Sequence, residues 1–367
     1  MVDAKQLLTA TDLESAGMSG LLTSRTWRGP TLTRAFVGAA LGAACLWLAF
    51  RRVPVTEVLR VLAAARPAPV ALAVAAILGA TVLRACRWKL LFPPGDRALR
   101  FGRLWAILVV GQMINILVPA RIGDLSRLYL VERVERRAMP ETLGTLGLEK
   151  AFDSLVFIVL LWALSLQANL PESLDQARHA VAVTSAGLLV ALGVTMAFGE
   201  RALNAAGRSR LLPARVRHSL VERWLRPLLE GLTARRHPGT VLAILIVSFL
   251  TWGAAWLANY ACLEALHIAP SPVAALVVLV VLQLGTAVAT SPGSLGVFEY
   301  LCVLALGVFQ VGQSEAVGYG ILLHVVAYLP PVALGAGLLV SKVVPWSRGL
   351  PKTQAGEVER NAADTPG

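Results

Sequence analysis

This sequence predicts an all-α protein that crosses a bilayer several times, and three observations carry that prediction. Apolar residues make up 56% of the chain and charged residues only 15%, against about 25% charged in an ordinary soluble domain. Several Ala/Leu/Val runs reach the ~20 residues that a helix needs to span hydrocarbon. These runs lack the period-two alternation of a transmembrane strand, so spans that satisfy their own backbone hydrogen bonds must be helices.

Taken in order, residues 1–33 are polar and read as a flexible cytoplasmic segment without a signal peptide. Residues 34–342 read as one membrane domain with about six full spans, at 34–50, 67–83, 142–166, 178–198, 240–262 and 316–340. Residues 343–367 are polar and read as a disordered cytoplasmic tail. Between the spans, 199–239 holds nine arginines with scattered Leu, Val and Trp224. That pattern predicts an amphipathic cytoplasmic linker lying on anionic headgroups.

Two further apolar regions, 104–137 and 272–311, are interrupted by Pro and Gly. A break at membrane depth is tolerated only inside protein or beside a water-filled cavity, so both regions read as re-entrant hairpins. With the N-terminus in the cytoplasm, the inside segments then carry 28 of the 34 Lys and Arg. This asymmetry predicts an N-in, C-in topology. The two breaks also share a pattern. Pro119-x-x-x-Gly123 matches Pro292-x-x-x-Gly296, Gln112 and Gln283 lie upstream, and Asp124 and Glu299 lie downstream. A span precedes and follows each hairpin. The arrangement suggests an inverted repeat with a site where the breaks meet.

Four clusters are candidates for function. In "NILVPARIGDLSR", Pro119 and Gly123 let the backbone turn, and Asp124 is placed to cap the helix that restarts there. The free N–H groups of that helix, with Arg121 and Arg127, suit a phosphate; the alternative is a cytoplasmic loop whose arginines set topology. In "LGLEKAFDSLVF", Glu149 and Asp153 share a helix face, and Lys150 can pair with Asp153. Charges inside a bilayer cost at least ~2.5–3.5 kcal/mol each on insertion scales and persist when paired or facing a polar cavity. In "TSPGSLGVFEY", Ser291 offers a hydroxyl, Gly293 and Gly296 permit close approach, and Glu299 stands in an apolar run. His324 lies within the last span, as a hydrogen-bonding residue or a proton carrier. In the fourth cluster, "LRACRWKLLF", Arg84, Arg87, Trp88 and Lys89 read as an interfacial belt that anchors a span.

The net charge of +12 is an orientation signal in such a chain rather than a nucleic-acid footprint. The four cysteines are far apart and read as packing residues. No metal-binding or cofactor motif and no nucleophile–base set is present, so no cofactor is expected and an enzyme is the weaker reading.

The order N-x-x-x-P-x-R-x-G-D-x-x-R, then E-K-x-x-D, then S-P-G-S-L-G-V-F-E resembles the lysylphosphatidylglycerol synthase transmembrane-region family of flippase-like membrane proteins. The resemblance covers roughly residues 35–342. It implies a bacterial or archaeal cytoplasmic-membrane protein that handles lipid-linked substrates, and it adds Asn115 to the positions of interest. Its motif positions together with the clusters above give Arg121, Arg127, Asn115, Lys150, Ser291, Gly293, Glu299 and His324 as the expected substrate contacts. A supporting charge and turn set comprises Pro119, Gly123, Asp124, Glu149, Asp153, Pro292 and Gly296. Two departures stand out. The family often has Glu-Arg at Glu149-Lys150, and often an Arg near His324. The sequence as it stands has no soluble aminoacyl-transferring domain after its last span.

The expected function is therefore translocation of a lipid or lipid-linked substrate with an anionic headgroup. The alternatives are an integral-membrane transferase acting on a phospholipid or polyprenyl-phosphate lipid, and a scaffold recruiting a lipid-synthesis enzyme. Membrane lipids are the expected partners, with such an enzyme or a second copy of the chain as further candidates.

Overall fold

The computed structural model describes residues 40–51, 53–92, 99–118, 122–165, 238–269, 271–288, 292–341 and 343, with a few helical positions between 183 and 194. The expected terminal segment 1–33, all but the first residue of the expected tail 343–367, most of the span at 178–198, nearly all of the linker at 199–239, and Pro119, Arg121 and Ser291 lie outside these residues. Among the described residues every regular element is a helix. They are α1 (Ala40–Phe50), α2 (Val55–Ala63), α3 (Pro67–Leu91), α4 (Phe101–Leu117), α5 (Gly123–Glu135), α6 (Met139–Ser165), α7 (Pro238–Ala265), α8 (Pro272–Val288), α9 (Val297–Gly307) and α10 (Gln313–Val340).

Three of these, α3, α7 and α10, are long and apolar enough to cross a membrane. Helix α6 has 27 residues, ample length for a span, but Glu149, Lys150 and Asp153 interrupt its apolar character. Helix α3 runs eight residues past the segment expected from hydropathy, to Leu91. Pro67 starts it, where a missing N–H costs nothing. Phe92, extended at φ −74° and ψ 140°, ends it before Pro93, as the residue ahead of a proline disfavours helix.

Each of the two interrupted regions folds into two helices. Helices α4 and α8 have 17 residues each, short of a full span. Each doubles back into a shorter helix that packs against it, α5 on α4 and α9 on α8. The first hairpin is fastened at its tip and its base. At the tip, the Gly123 N–H donates to Asn115 Oδ1 (2.7 Å), and Asn115 Nδ2 donates to Asp124 Oδ1 (3.3 Å). At the base, Arg103 pairs with Glu135 at 3.6 Å. Asp124 therefore does not cap α5, as its position had suggested. The free N–H is met from across the hairpin by Asn115, whose amide already faces it. A Cβ at Gly123 would lie 2.6 Å from Asn115 Cγ and would strike the Gly111 carbonyl, so this crossing needs glycine.

In the second hairpin a 3-10 turn, Pro292–Ser294, leads into Gly296, and Gly293 (φ 59°) and Gly296 (φ 81°) adopt left-handed backbone that glycine alone takes freely. Glu299 Oε2 accepts the Gly296 N–H at 2.8 Å, closing the start of α9 from its third residue.

The largest buried apolar cluster draws on α7, α8, α9 and α10, with Tyr319 fully buried inside it. The Tyr319 hydroxyl donates to the Asn259 carbonyl (3.2 Å) and lies 3.1 Å from its side-chain oxygen, joining α10 to α7. Helix α7 also packs along much of α3. Helix α10 packs on α4, and α6 packs on α8.

The crossing at Gly123 predicts a contrast between two glycine substitutions. Gly123→Ala should destabilise the protein by about 1–3 kcal/mol through overpacking. Gly253→Ala, where an added Cβ meets nothing within 4 Å, should be neutral or stabilising by up to ~1 kcal/mol. Thermal unfolding of both variants in detergent checks this, and equal effects would contradict the packing described.

Candidate functional site

Buried charge gathers where α3, α5, α6 and α7 meet. Arg87 of α3 is 1% exposed. It donates to both Asp153 oxygens, at 2.6 and 3.2 Å, and to Ser248 Oγ at 3.2 Å, and pairs with Glu149 at 3.6 Å. Arg127 of α5, also buried, donates to the other Glu149 oxygen at 2.8 Å and lies 3.6 Å from Asp124. Its guanidinium stacks 4.1 Å from the centre of the Trp88 ring. Trp88 Nε1 donates to Thr145 Oγ1 (3.0 Å), and Trp252 Nε1 donates to Asp153 Oδ1 (3.2 Å). Glu149 thus bridges two arginines from two helices, and Asp153 accepts from one of these, α3, and from α7.

This overturns the reading of Arg87 and Trp88 as an interfacial belt. Both are buried, because α3 continues past the apolar segment and carries them against α6. The partner of Asp153 is Arg87 rather than Lys150, which sits one residue from Glu149 on an exposed face of α6. The signal for Arg87 was present in the sequence. Thr81, Arg84 and Arg87 or Trp88 recur at three- and four-residue intervals, the spacing of one helix face.

The second cluster surrounds the second break. His324 Nδ1 of α10 donates to Glu299 Oε1 at 2.6 Å, and both residues are buried. With Gly296 bound to its other oxygen, the Glu299 carboxylate is fully engaged inside the protein rather than reaching for solvent. The His324 ring packs on Phe298 (4.7 Å between centroids) and edge-on to Tyr328 (4.5 Å). A Cβ at Gly293 would sit 3.9 Å from His324 Nε2 and 3.8 Å from the Ile116 carbonyl. The second break therefore seats against the last turn of α4, just ahead of the first break. Gly293, Leu295 and His324 line a groove there with Ile116, Leu117 and Tyr328. Gly296 itself packs on Gly42 of α1, and Gly123 on its own hairpin.

Of the residues singled out in the sequence, the fold brings Asp124, Arg127, Glu149 and Asp153 into one charge network with Asn115 and Gly123 at its edge. It brings Gly293, Gly296, Glu299 and His324 into a second cluster. Pro292 opens the turn between them.

These features define a class, a helical membrane protein with two broken-helix hairpins and an internal charge network. The chain belongs to the family described as the lysylphosphatidylglycerol synthase TM region, whose profile matches residues 35–335. It is also similar to the UPF0104 membrane protein MJ1078 of Methanocaldococcus jannaschii. The two are 24% identical over 228 residues, 61% of this chain and 92% of that protein.

The network predicts asymmetric costs. Arg87→Gln or Glu149→Gln should each destabilise by about 3–5 kcal/mol, since the surviving charge is left buried without a partner. Arg87→Lys should not restore stability, because an ammonium cannot meet both Asp153 oxygens as a fork. The Arg127→Gln, Glu149→Gln double variant should lose less than the sum of the single variants in thermal unfolding; additivity would show that the pair is not coupled.

Proposed function

We propose that this protein translocates a lipid or lipid-linked substrate with an anionic headgroup across a bacterial or archaeal cytoplasmic membrane. One observation carries the reading: two 17-residue helices, α4 and α8, end next to Pro/Gly breaks, and the second break seats on the last turn of α4. Interrupted helices at a repeat interface are where transporters hold their cargo. In this reading the substrate passes Gly293 and His324 beside the last turn of α4, and Arg121 and Ser291 are proposed to contact it as well. Asn115, Arg127, Lys150 and Glu299 shape and charge the walls.

The packing supports an inverted repeat of α3–α6 and α7–α10. Each set is a long helix, a two-helix hairpin and a second long helix. The closing helix of each set packs on the hairpin of the other, α10 on α4 and α6 on α8, while the opening helices α3 and α7 pack together. Exchanging the two sets leaves this pattern unchanged. The arginine-rich stretch 199–239, the N-terminus and the C-terminus are cytoplasmic in this arrangement, by the excess of basic residues on one side.

Reconstitution tests the function. In proteoliposomes containing headgroup-labelled phosphatidylglycerol or phosphatidylcholine, the protein should speed movement of the anionic lipid between leaflets, measured by chemical quenching from outside. Deletion of 199–237 should leave that movement intact. No movement of either lipid would contradict the translocase reading, and loss on deletion alone would favour a scaffold. For topology, a Cys at Ala269 should be labelled from outside the cell and one at Ser209 should not; labelling of both would overturn the orientation.

A further inference from the structure

Arg84 lies three residues before Arg87 on α3, yet it stands apart from the contacts that hold Arg87. Among the described residues no group accepts a hydrogen bond from its guanidinium, and no carboxylate lies within ion-pair distance. Asp153 and Glu149 act on it only across a longer gap. Arg84 instead lines a half-open cavity of about 220 Å³ bounded by α3, α4, α7, α8, α9 and α10. Arg84 is half-buried and turns its donors to this cavity without an acceptor among the described residues, so a guanidinium charge within a helical body makes the cavity a place where an anion would be stabilised.

Two more side chains reach the same cavity with unused capacity. Gln112 of α4 leaves its Oε1 buried without a hydrogen-bond partner. Gln283 of α8 lines the opposite wall and makes no hydrogen bond to a described residue. Each is the twelfth residue of its 17-residue helix, so the two hairpins present the same group to one space. Two apolar grooves adjoin this space through shared residues. Tyr328 lines the cavity and the groove at Ile116 and Leu329; Thr81 lines the cavity and a groove at Trp105 and Leu334.

Resting on the translocase reading and deepening it, we propose that this cavity binds the phosphodiester of a lipid with a hydroxylated, uncharged headgroup. Arg84 meets the anionic oxygens with its planar fork, and Gln112 and Gln283 bond the phosphoryl oxygens and hydroxyls. A single unmatched guanidinium selects a single negative charge, which is what a phosphodiester carries. No carboxylate lines the cavity among the described residues, so nothing there balances the ammonium of a zwitterionic headgroup. The adjoining grooves take the hydrocarbon chains. A glycerophospholipid and a polyprenyl-phosphate sugar share this chemistry.

Equilibrium binding by native mass spectrometry of the detergent-solubilised full chain tests the site, with phosphatidylglycerol, a polyprenyl-phosphate hexose and phosphatidylcholine as probes. The unaltered protein should prefer phosphatidylglycerol or the polyprenyl lipid over phosphatidylcholine by about tenfold or more, a difference of ~1.4 kcal/mol; which of the two binds tighter identifies the source. Arg84→Gln should abolish the preference, Gln112→Leu should weaken it, Arg84→Lys should keep only part of it, and Lys89→Gln, which removes an exposed charge from the same helix, should leave it unchanged. Arg84→Gln should unfold within a few degrees of the parent, unlike Arg87→Gln. Undiminished anionic preference in Arg84→Gln, no preference in the parent, or unfolding of Arg84→Gln as severe as that of Arg87→Gln would each overturn the proposal. Because binding is read at equilibrium, a protein that binds without moving lipid sinks the translocase reading and leaves this site standing. One that moves lipid with an unaltered Arg84→Gln sinks the site alone.

Discussion

Two guanidinium groups, those of Arg87 and Arg127, are buried between helices where water cannot solvate them, and the rest of the structure is arranged around meeting that charge. A buried charge persists only when it is paired and hydrogen-bonded. Glu149 and Asp153, one turn apart on α6, supply the counter-charges, so α6 must lie in register with both α3 and α5. Asp153 also accepts from Trp252, which sets α7 against the same helix. Ion pairs of this kind add little net stability compared with apolar packing, but they are intolerant of misalignment. They specify how four helices meet more than how strongly they hold.

The hairpins solve a different problem, that of ending a helix within the protein. The first break meets a free N–H with the amide of Asn115 from its partner helix; the second meets it with Glu299 from its own first turn. The other oxygen of Glu299 holds His324, so the turn that ends one hairpin also fixes a side chain of the last helix. Arg84, Gln112 and Gln283 line the cavity between α4 and α8, and Gln112 Oε1 is buried there without a hydrogen-bond partner.

The helical class, the two broken regions and the family were legible in the sequence because each leaves a local mark: long apolar runs, Pro and Gly within them, and a spaced set of polar residues. The helices at 142–166, 240–262 and 316–340 were placed to within three residues. Helix α3 was cut short because hydropathy stops at the first arginine, whereas burial continues wherever a carboxylate waits on a neighbour. Asp124 was read as a cap from its position alone, and the true acceptor, Asn115, could be seen only once the hairpin was closed. Arg87 looked like an anchor although its spacing from Thr81 and Arg84 marks one helix face, because its partners, Glu149 and Asp153, are 62 and 66 residues away in the chain.

The central claim is that the two hairpins meet around a polar cavity that water and a headgroup can enter. Cysteine accessibility measures this directly. With Cys45 and Cys86 replaced by serine, single cysteines at Gln112 and Gln283 should react with a small water-soluble thiol reagent in reconstituted protein, while the buried native Cys262 and Cys302 stay unreactive. Excess anionic phosphodiester lipid should slow the reaction at both positions. Absence of reaction at 112 and 283 under conditions where an exposed control cysteine labels fully would mean that the cavity is closed to water, and the account would be wrong.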